Sequence, residues 1–283
     1  MDIARISAAL EPKLFIKYEK LKDLISEYGS LLVAFSGGVD SALLLKVATD
    51  VLGSRCIGAL ALSPAYDEDE SAAALLTARE MGAAVITIRS SEMENTQYTA
   101  NTPERCYFCK EDLFRHLEPI AREHGVSAIA YGVNSSDMGD YRPGQRSAKE
   151  RGIKTPLLDA GFTKEDIRAL AKFLDLSVWD KPSLACFSSR IPYGSAIRIE
   201  TLQQISAAEK FLRSLGFIQV RVRHHDTIAR IEVPEEDIAR MLQPETRHAI
   251  ESKLRSLGYV YVTLDLRGYR TGSMNDTLNQ TSK

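Results

Sequence analysis

The chain is poor in several features that would assign it to a special class of protein. Its 283 residues include four cysteines, too few for a disulfide-stapled scaffold. No stretch approaches the uncharged run of about 18 residues that a transmembrane helix needs. The N-terminal segment carries charges throughout and lacks the apolar core of a signal peptide. These absences predict a cytoplasmic protein with no membrane partner.

Neither sign of charge dominates the composition. The 36 basic and 38 acidic side chains give a formal net charge of −2, so no global field favours nucleic acid. Hydrophobic residues at 44% and charged residues at 26% are ordinary for a globular protein, and the length allows one large or two smaller domains. The composition predicts no nucleic-acid partner.

The most informative stretch is SGGVDS, residues 36–41, which follows an apolar run at 31–35. The run predicts a buried strand, and the pattern after it predicts a helix over about 40–51. Glycines at a strand-to-helix turn leave room for a ligand, and the helix directs free N–H groups and its positive dipole end to the same place. Such a turn binds phosphate. The candidate nucleotide-binding residues are Ser36, Gly37, Gly38, Asp40 and Ser41, with Asp40 also the candidate Mg²⁺ ligand.

This turn lacks the G-x-x-x-x-G-K-[ST] pattern of a Walker loop. It resembles instead the PP-loop of the ATP pyrophosphatases, which split ATP between the α and β phosphates and adenylate an oxygen of their substrate. The alternative is a glycine-rich turn in some other α/β protein.

Further apolar runs at 57–62, 85–88 and 128–133 alternate with helical patterns at about 67–81 and 110–124. Strands that alternate with helices predict a parallel sheet covered on both faces, with ligands beyond the carboxyl ends of the strands. The predicted fold class is therefore α/β, a Rossmann-like PP-loop domain.

The pattern changes after Gly194 to helix, strand, strand, helix, strand. We therefore predict a PP-loop domain over 1–194, a small α+β domain over 195–270 and a disordered polar tail over 271–283. The small domain repeats LRSLGF as LRSLGY. The repeat indicates either a duplicated αβ unit or one kind of helix stop used twice.

Cys106 and Cys109 form a C-x-x-C just before the helix predicted at 110–124, and Cys186 lies in ACFSSR. Four interpretations stay open for these three residues: a redox disulfide, a zinc site that still needs a fourth ligand, an iron–sulfur cluster with one open iron, or structural cysteines. Cys56 begins an apolar strand and is predicted to be a buried small hydrophobe.

Hydroxyl donors and a cation surround Cys186, and such surroundings favour a thiolate nucleophile. The neighbours that supply them are Ser183, Ser188, Ser189 and Arg190.

Five stretches occur in one order: SGGVDS, RCYFCK, YGVNSSDMGDYRPG, KPSLACFSSRIPYG and VRVRHHDTIARIEVP. Together they resemble the LarE family, the ATP-dependent sulfurtransferases that build the nickel-pincer nucleotide of lactate racemase. The resemblance covers roughly residues 10–270. It implies a homo-oligomeric enzyme that adenylates a carboxylate of pyridinium-3,5-biscarboxylic acid mononucleotide. A sulfur nucleophile then displaces AMP to give a thiocarboxylate.

The resemblance also implies two possible sources of sulfur. In one type of family member, the cysteine corresponding to Cys186 gives up its own sulfur. In the other, three cysteines hold a [4Fe-4S] cluster whose open iron carries a sulfide, which requires a sulfide donor. This chain has all three, Cys106, Cys109 and Cys186, which favours the cluster type.

The resemblance also concerns residues of these stretches other than the cysteines. It places the loop with Asp137, Asp140 and Arg142 beside the nucleotide, whereas without it a solvated polar loop is the alternative.

Arg221 and Arg223 alternate on one predicted strand and so share a face that suits a substrate phosphate; a charged outer sheet face is the alternative. Glu209 and Glu232 are candidate metal ligands in the second domain, with surface carboxylates as the alternative.

Rival functions include tRNA thiolation, amidation of a nucleotide substrate, and a non-catalytic AMP-binding or ATP-binding module. A tRNA thiolase should carry a strongly basic surface, which a net charge of −2 does not support. An amidating synthetase has no need of three cysteines. A binding module would hold ATP without releasing pyrophosphate.

Overall fold

A computed structural model of the chain describes residues 10–139, 143–182, 185–270 and 272–275. Two candidate site residues, Asp140 and Arg142, and most of the predicted tail lie outside the described residues. In chain order the helices and strands are α1 (Pro12–Glu27), β1 (Leu31–Phe35), α2 (Val39–Leu52), β2 (Cys56–Leu62), α3 (Glu68–Glu80), β3 (Val85–Arg89), α4 (Thr96–Thr99), α5 (Arg105–Glu123), β4 (Ala128–Tyr131), α6 (Pro143–Glu150), α7 (Pro156–Asp159), α8 (Lys164–Phe173), α9 (Ile199–Ser214), β5 (Arg221–His225), β6 (Ile228–Glu232), α10 (Glu235–Met241), α11 (Pro244–Ser256) and β7 (Tyr261–Leu264).

The chain forms two compact units, and each is built from two stretches of sequence. Unit 1 consists of Met1–Glu92 and Cys106–Leu184, and unit 2 consists of Met93–Arg105 and Ala185–Lys283. The domain bounds predicted from the sequence, at residues 194 and 270, stay predictions.

Unit 1 contains a parallel sheet with strand order β3-β2-β1-β4. All five residues of β1 are buried, and they alternate between two cores. Leu31, Val33 and Phe35 belong to the core shared with α1, α2 and α8, whereas Leu32 and Ala34 pack in the core that α5 covers. Alternation on a strand covered on both faces explains why the run reads as continuously apolar. The predicted α/β class is confirmed.

The strand order of unit 1 reverses between β1 and β4. Chain connections leave β1 and β4 on opposite sides of the sheet, and a crevice opens beyond their carboxyl ends in folds of this kind. SGGVDS follows β1, and Gly132-Val133-Asn134 follows β4. The fold therefore brings the two loops that the sequence singled out to one place.

Unit 2 contains a smaller mixed sheet in which β5 and β6 are antiparallel and β6 and β7 are parallel. One face packs on α9 and α11 around buried residues that include Leu212, Val222, Ile231 and Leu254. The predicted small α+β domain is confirmed in its class. None of the helices in the described part of the chain has the length and apolar character that a bilayer crossing requires.

The repeated LRSLG sequence forms the same helix stop twice. Gly216 and Gly258 have φ of +87° and +104°, and the next residue in each case donates its N–H to the carbonyl of the repeat's first leucine. This is the Schellman pattern, which needs a residue without Cβ strain at the left-handed position. Phe217 and Tyr259 follow the glycines and are buried in the core of unit 2.

Two local predictions were wrong. Cys106 and Cys109 do not precede a helix but lie within the first turns of α5, which begins at Arg105. Residues 143–146, interpreted as the end of the polar loop SSDMGDYRPGQR, instead begin α6 (Pro143–Glu150). Proline favours the first helical position, so the Pro143-Gly144 pair starts this helix rather than a turn. The predicted burial of Cys56 is confirmed, and burial raises the pKa of its thiol to about 11.

Candidate functional site

The SGGVDS loop turns from β1 into α2 with its hydroxyl groups hydrogen-bonded to one another. Ser41 Oγ lies 3.1 Å from Ser36 Oγ, accepts a hydrogen bond from the Ser36 N–H at 3.1 Å and donates to the Gly38 carbonyl at 3.0 Å. Gly38 is the N-cap of α2, and no side chain among the described residues caps the helix there. The first N–H groups of a helix without a side-chain cap suit an anion.

Two glycines permit the close packing around this loop. Gly37 has φ of +74°, and a Cβ there would lie 2.4 Å from the Cβ of Ala74 on α3. A Cβ on Gly132 would lie 2.8 Å from the Ser41 backbone nitrogen. The end of β4 therefore contacts the start of α2 backbone to backbone, and any larger residue would move the two loops apart.

Asp40, the candidate Mg²⁺ ligand, is held from both sides. Lys164, the first residue of α8, donates to one carboxylate oxygen, and the Asn134 side-chain amide donates to the other at 3.0 Å. Thr163 caps α8 in a capping box with Asp166, and this fixes the start of the helix, at which Lys164 lies. The carboxylate is thus oriented before any metal binds.

A second lysine reaches the loop from the stretch that precedes Cys186. Lys181 Nζ lies 3.4 Å from the Gly37 carbonyl oxygen and 2.7 Å from the carboxylate of Glu70 in the first turn of α3. Arg168 donates to the Lys181 carbonyl at 2.8 Å and holds its backbone. Two ammonium groups, those of Lys164 and Lys181, therefore flank a loop that suits phosphate.

Asp137 shapes the loop after β4 rather than reaching outward. Its carboxylate accepts the Asn134 backbone N–H at 3.1 Å, while the Asn134 side-chain oxygen accepts the Ser136 N–H at 3.0 Å. Ser136 Oγ in turn accepts the Lys164 N–H at 3.0 Å. Among the three residues predicted in this loop, Asp137 therefore acts by placing the side chain that holds Asp40.

Cys106 and Cys109 lie three positions apart on α5, so their thiols share one face of the helix, and both are half-buried. Gly144 of α6 lies against this turn, because a Cβ there would be 3.1 Å from the Cys106 carbonyl oxygen and 2.8 Å from Lys110 Cγ. Two half-buried thiols on one helical face suit a soft metal or a cluster.

Cys186 in unit 2 precedes a short 3₁₀ helix, Phe187–Arg190, and is half-buried. Its carbonyl oxygen accepts the Ser189 N–H at 3.0 Å and the Ser189 hydroxyl at 2.8 Å. Arg190 Nη1 donates to the same oxygen at 2.8 Å and to the Ala185 carbonyl at 2.6 Å. Arg190 and Ser189, predicted to surround the thiol, are thus observed to fix the backbone that carries it.

Glu209 is wholly buried and joins the Cys186 loop to β5. Its carboxylate accepts two hydrogen bonds from Arg190, at 2.9 and 3.1 Å, and the Val222 N–H at 2.9 Å. Burial alone would raise the pKa of Glu209, but the guanidinium groups of Arg190 and Arg221 and the hydrogen bonds together lower it. The alternative of a surface carboxylate is wrong for this residue.

Arg221 and Arg223 share one face of β5, as predicted, and both are 5% exposed, which rules out a charged outer sheet face. Arg223 donates to Glu232 at 2.7 Å, to Ser273 Oγ at 2.9 Å and to the Ser189 carbonyl at 3.1 Å. Its buried Nε has no hydrogen-bond partner among the described residues. Burial and the charge of Arg190 lower the pKa of Arg221.

Glu232 is buried and paired with Arg223 and Arg230, so it is not a surface carboxylate either. Within the described ranges, no three His, Cys, Asp or Glu side chains converge as a set that could hold a metal ion. Within the described strands, Arg221, Arg223 and Arg230 share one face of the sheet with Glu232, and guanidinium groups close together suit an anion such as a phosphate.

Sequence reasoning missed Lys164, Asn134 and Lys181. Lys164 carried only the signal of a helix start after Thr163, and Lys181 stood in a stretch without periodicity. The position of Asn134 at the end of a predicted strand was a usable signal, because ligand-binding side chains collect at the carboxyl ends of parallel strands.

Comparison with known proteins finds relatives over most of the chain, whereas no family model matches it. A pyridinium-3,5-bisthiocarboxylic acid mononucleotide synthase of Lactiplantibacillus plantarum is 43% identical over 249 residues, 88% of this chain and 90% of the relative. An uncharacterised protein of Synechocystis is 42% identical over 264 residues, 93% of this chain and 98% of the relative. An uncharacterised protein of Methanocaldococcus jannaschii is 29% identical over 258 residues, 90% and 98% of the two chains.

Proposed function

The chain belongs to the LarE family of pyridinium-3,5-bisthiocarboxylic acid mononucleotide synthases, and from this premise we propose the reaction that it catalyses. It adenylates a carboxylate of pyridinium-3,5-biscarboxylic acid mononucleotide with ATP and replaces the adenylate by sulfur. The product is a thiocarboxylate on the path to the nickel-pincer cofactor of lactate racemase. The observation that carries the proposal is the SGGVDS loop, with Asp40 held by Lys164 and Asn134 at the carboxyl ends of β1 and β4.

The activation step belongs to unit 1. A carboxylate is a poor acyl donor, and its adenylate carries AMP as a good leaving group. The N–H groups at the start of α2 and the hydroxyls of Ser36 and Ser41 donate hydrogen bonds to the phosphate charge that develops as pyrophosphate leaves. Lys164 and Lys181 add positive charge at the same loop. Asp40 supplies carboxylate oxygens for Mg²⁺, a hard cation that prefers oxygen ligands and neutralises phosphate charge.

Substrate binding belongs to unit 2 in this proposal. Arg221 and Arg223 present two guanidinium groups on one sheet face, and the buried Nε of Arg223, which has no partner in the described ranges, supports a phosphate as its acceptor. The pairing of Glu209 and Glu232 with arginines supports a role in holding these cations rather than in binding a metal ion.

Sulfur transfer centres on Cys186. The presence of three cysteines supports the cluster type of the family, and Cys106 and Cys109 are half-buried on one helical face, with Cys186 also half-buried. When bound, a [4Fe-4S] cluster with one open iron would carry the sulfide that attacks the acyl carbon. In the sacrificial alternative, the Cys186 thiolate attacks the acyl carbon itself and later gives up its sulfur.

We further propose that the protein acts as a cytoplasmic homo-oligomer on a small-molecule nucleotide, with a separate sulfide donor if it holds a cluster. Family membership and the absence of a basic excess in the composition support these points.

The direct test incubates the purified, anaerobically reconstituted chain with ATP, Mg²⁺ and the biscarboxylic mononucleotide. We expect AMP and pyrophosphate in equal amounts and a product in which sulfur has replaced one oxygen, measured by mass spectrometry. Release of ADP, or ATP binding without AMP formation, would contradict the proposal and favour a binding module. Mass spectrometry of the protein after turnover separates the two sulfur sources, because only the sacrificial route removes the elements of H₂S from Cys186.

A further inference from the structure

The segment Met93–Arg105 of unit 2 contacts the loop that follows Cys186 through three buried side chains. Tyr98, Asn101 and Arg105 are 1%, 0% and 5% exposed. Each of them is hydrogen-bonded to residues within 188–195, and nothing in the proposed chemistry requires them to contact a ligand.

Asn101 joins three carbonyl groups of this loop through one side-chain amide. Its Nδ2 lies 3.3 Å from the Ile191 oxygen, 2.8 Å from the Pro192 oxygen and 3.0 Å from the Ser195 oxygen. The backbone carbonyl of Asn101 accepts the Gly194 N–H at 3.0 Å. Backbone groups of an irregular loop have no ladder of their own, so these bonds fix its course.

Arg105 and Tyr98 fix the residue at position 188. Arg105 Nη1 donates to the Ser188 carbonyl at 2.8 Å and to Asn101 Oδ1 at 2.6 Å. The Tyr98 hydroxyl lies 2.6 Å from Ser188 Oγ. Backbone and side chain of Ser188, two residues after Cys186, are therefore both held by this segment.

Asn101 adopts a backbone conformation that side chains usually avoid. Its φ is +53°, in the left-handed region, where a residue other than glycine carries a conformational cost. Asp226 has the same φ of +53° in the exposed turn between β5 and β6. A buried residue kept in this conformation is typical of a place where the surrounding structure enforces it.

We propose that Asn101 and Arg105 are positioning residues, which hold Cys186 where the activated carboxylate reaches its sulfur. This inference rests on the proposed function, because it presupposes sulfur transfer at Cys186. It assigns to the segment Met93–Arg105 an effect on the second half-reaction alone, since the loop that binds ATP is in unit 1. Adenylation without sulfur transfer is the signature expected when the loop is loosened.

The test replaces Asn101 by glycine in the full-length, reconstituted protein. Asn101→Gly removes the amide and accepts the positive φ, and Asp226→Gly makes the same exchange at the same φ without touching the loop. We expect Asn101→Gly to keep the pyrophosphate burst of the first adenylation near the wild-type rate, while thiocarboxylate formed per pyrophosphate falls by at least about tenfold. Alkylation of Cys186 by iodoacetamide, measured by peptide mass spectrometry on the full-length protein before reconstitution, when no cluster can hold the thiol, should become several-fold faster. Asp226→Gly should change neither quantity.

Three further variants cover the case in which Asn101→Gly does not fold. Tyr98→Phe removes only the hydroxyl, and Arg105→Lys keeps the charge that Arg105→Ala loses. We expect Tyr98→Phe to lower the yield of thiocarboxylate per pyrophosphate less than Asn101→Gly does. The yield should be higher in Arg105→Lys than in Arg105→Ala. Folded variants with an unchanged yield of thiocarboxylate per pyrophosphate and an unchanged rate of Cys186 alkylation would overturn the inference. Wild-type protein that forms no thiocarboxylate would instead contradict the proposed function.

Discussion

The side-chain ammonium of Lys164 is hydrogen-bonded to the carboxylate of Asp40, 124 positions earlier in the chain. The other carboxylate oxygen accepts from Asn134, so both oxygens already have a donor. A metal ion that binds Asp40 must share or displace one of these donors. The pair therefore links Asp40, the candidate Mg²⁺ ligand of SGGVDS, to the start of α8.

Asp40→Asn should reduce AMP formation by at least about 100-fold, because the amide cannot supply a charged oxygen ligand to Mg²⁺. The matched control is Asp50→Asn, which removes a carboxylate from the same helix, where it pairs with Lys46 at the surface. Steady-state release of AMP and pyrophosphate measures the effect. Wild-type turnover in Asp40→Asn would contradict the assignment of SGGVDS as the loop that binds Mg²⁺–ATP.

Lys164→Met should weaken binding of Mg²⁺–ATP by roughly tenfold, since one cation beside the phosphate loop is lost. Lys17→Met is the control, because the Lys17–Asp166 pair has the same side-chain exposures, 30% and 22%, as the Lys164–Asp40 pair. Both half-exposed pairs should contribute less than about 1 kcal/mol to stability. Calorimetric titration with a non-hydrolysable ATP analogue gives the affinities, and equal affinity in the two variants would contradict the role of Lys164.

Gly37→Ala should abolish ATP binding, whereas Gly29→Ala should leave it intact. The two glycines have φ of +74° and +72°, so both variants carry the same backbone cost of about 1–2 kcal/mol. They differ in space, because a Cβ on Gly37 would lie 2.4 Å from Ala74 Cβ and a Cβ on Gly29 would meet nothing within 4 Å. Similar losses of ATP affinity in both would show that backbone strain, not crowding at the loop, is responsible.

Cys186→Ala should stop sulfur transfer under either sulfur source, whereas Cys106→Ala or Cys109→Ala should do so only if the three thiols hold a cluster. Cys56→Ala is the control, because this thiol is buried in the core of unit 1. Iron analysis after anaerobic reconstitution should give about four irons per chain for the wild type and for Cys56→Ala. An iron-free wild-type protein with full activity would exclude the cluster and leave the sacrificial route.

Glu209→Gln should destabilise the protein by about 3 kcal/mol at neutral pH, because it leaves the Arg190 guanidinium buried without its counter-charge. The pKa of Glu209 is lowered on folding, so its ionised form stabilises the folded state above its ordinary pKa of 4.5. That contribution is lost as the pH falls below this value through the lowered pKa of the folded state.

Urea unfolding of wild type and Glu209→Gln at several pH values measures this difference in the free energy of unfolding. It should be largest above about pH 5 and shrink on acidification. Glu251→Gln serves as control, because Glu251 is 53% exposed in its pair with Arg255 and should show little pH-dependent difference. A difference for Glu209→Gln that grows on acidification would refute the assigned direction of its pKa.

The sequence predicted best where a short-range signal decides the structure. The five apolar residues of β1 and the burial of Cys56 both depend on a local pattern of apolar residues. The start of α5 was placed five residues too late, since RCYFC has no cap signal. Pro143-Gly144 equally suited a turn, and packing of the glycine on the Cys106 carbonyl decided for a helix.

The site was predictable in its chemistry but not in its pairings. Asp40 and Glu209 were identifiable as residue types in suggestive positions, yet their partners come from other parts of the chain: Lys164 for Asp40, and Arg190 and Val222 for Glu209. The charge of Glu209 favoured an exposed position, whereas its ion pairs with Arg190 and Arg213 allow it to be buried. Long-range pairing of this kind leaves no local pattern to detect.

The split composition of unit 2 sets an order of events during synthesis. Chains emerge from the ribosome N-terminus first, so Tyr98, Asn101 and Arg105 appear before the whole of Cys106–Leu184 and long before the loop that they hold. Their polar groups remain hydrogen-bonded to water until the segment that contains Ser188 has been synthesised. The cysteine loop is therefore assembled late, after the segment that carries Cys106 and Cys109 has been made, and a fragment that starts at Ala185 would lack the side chains that shape it.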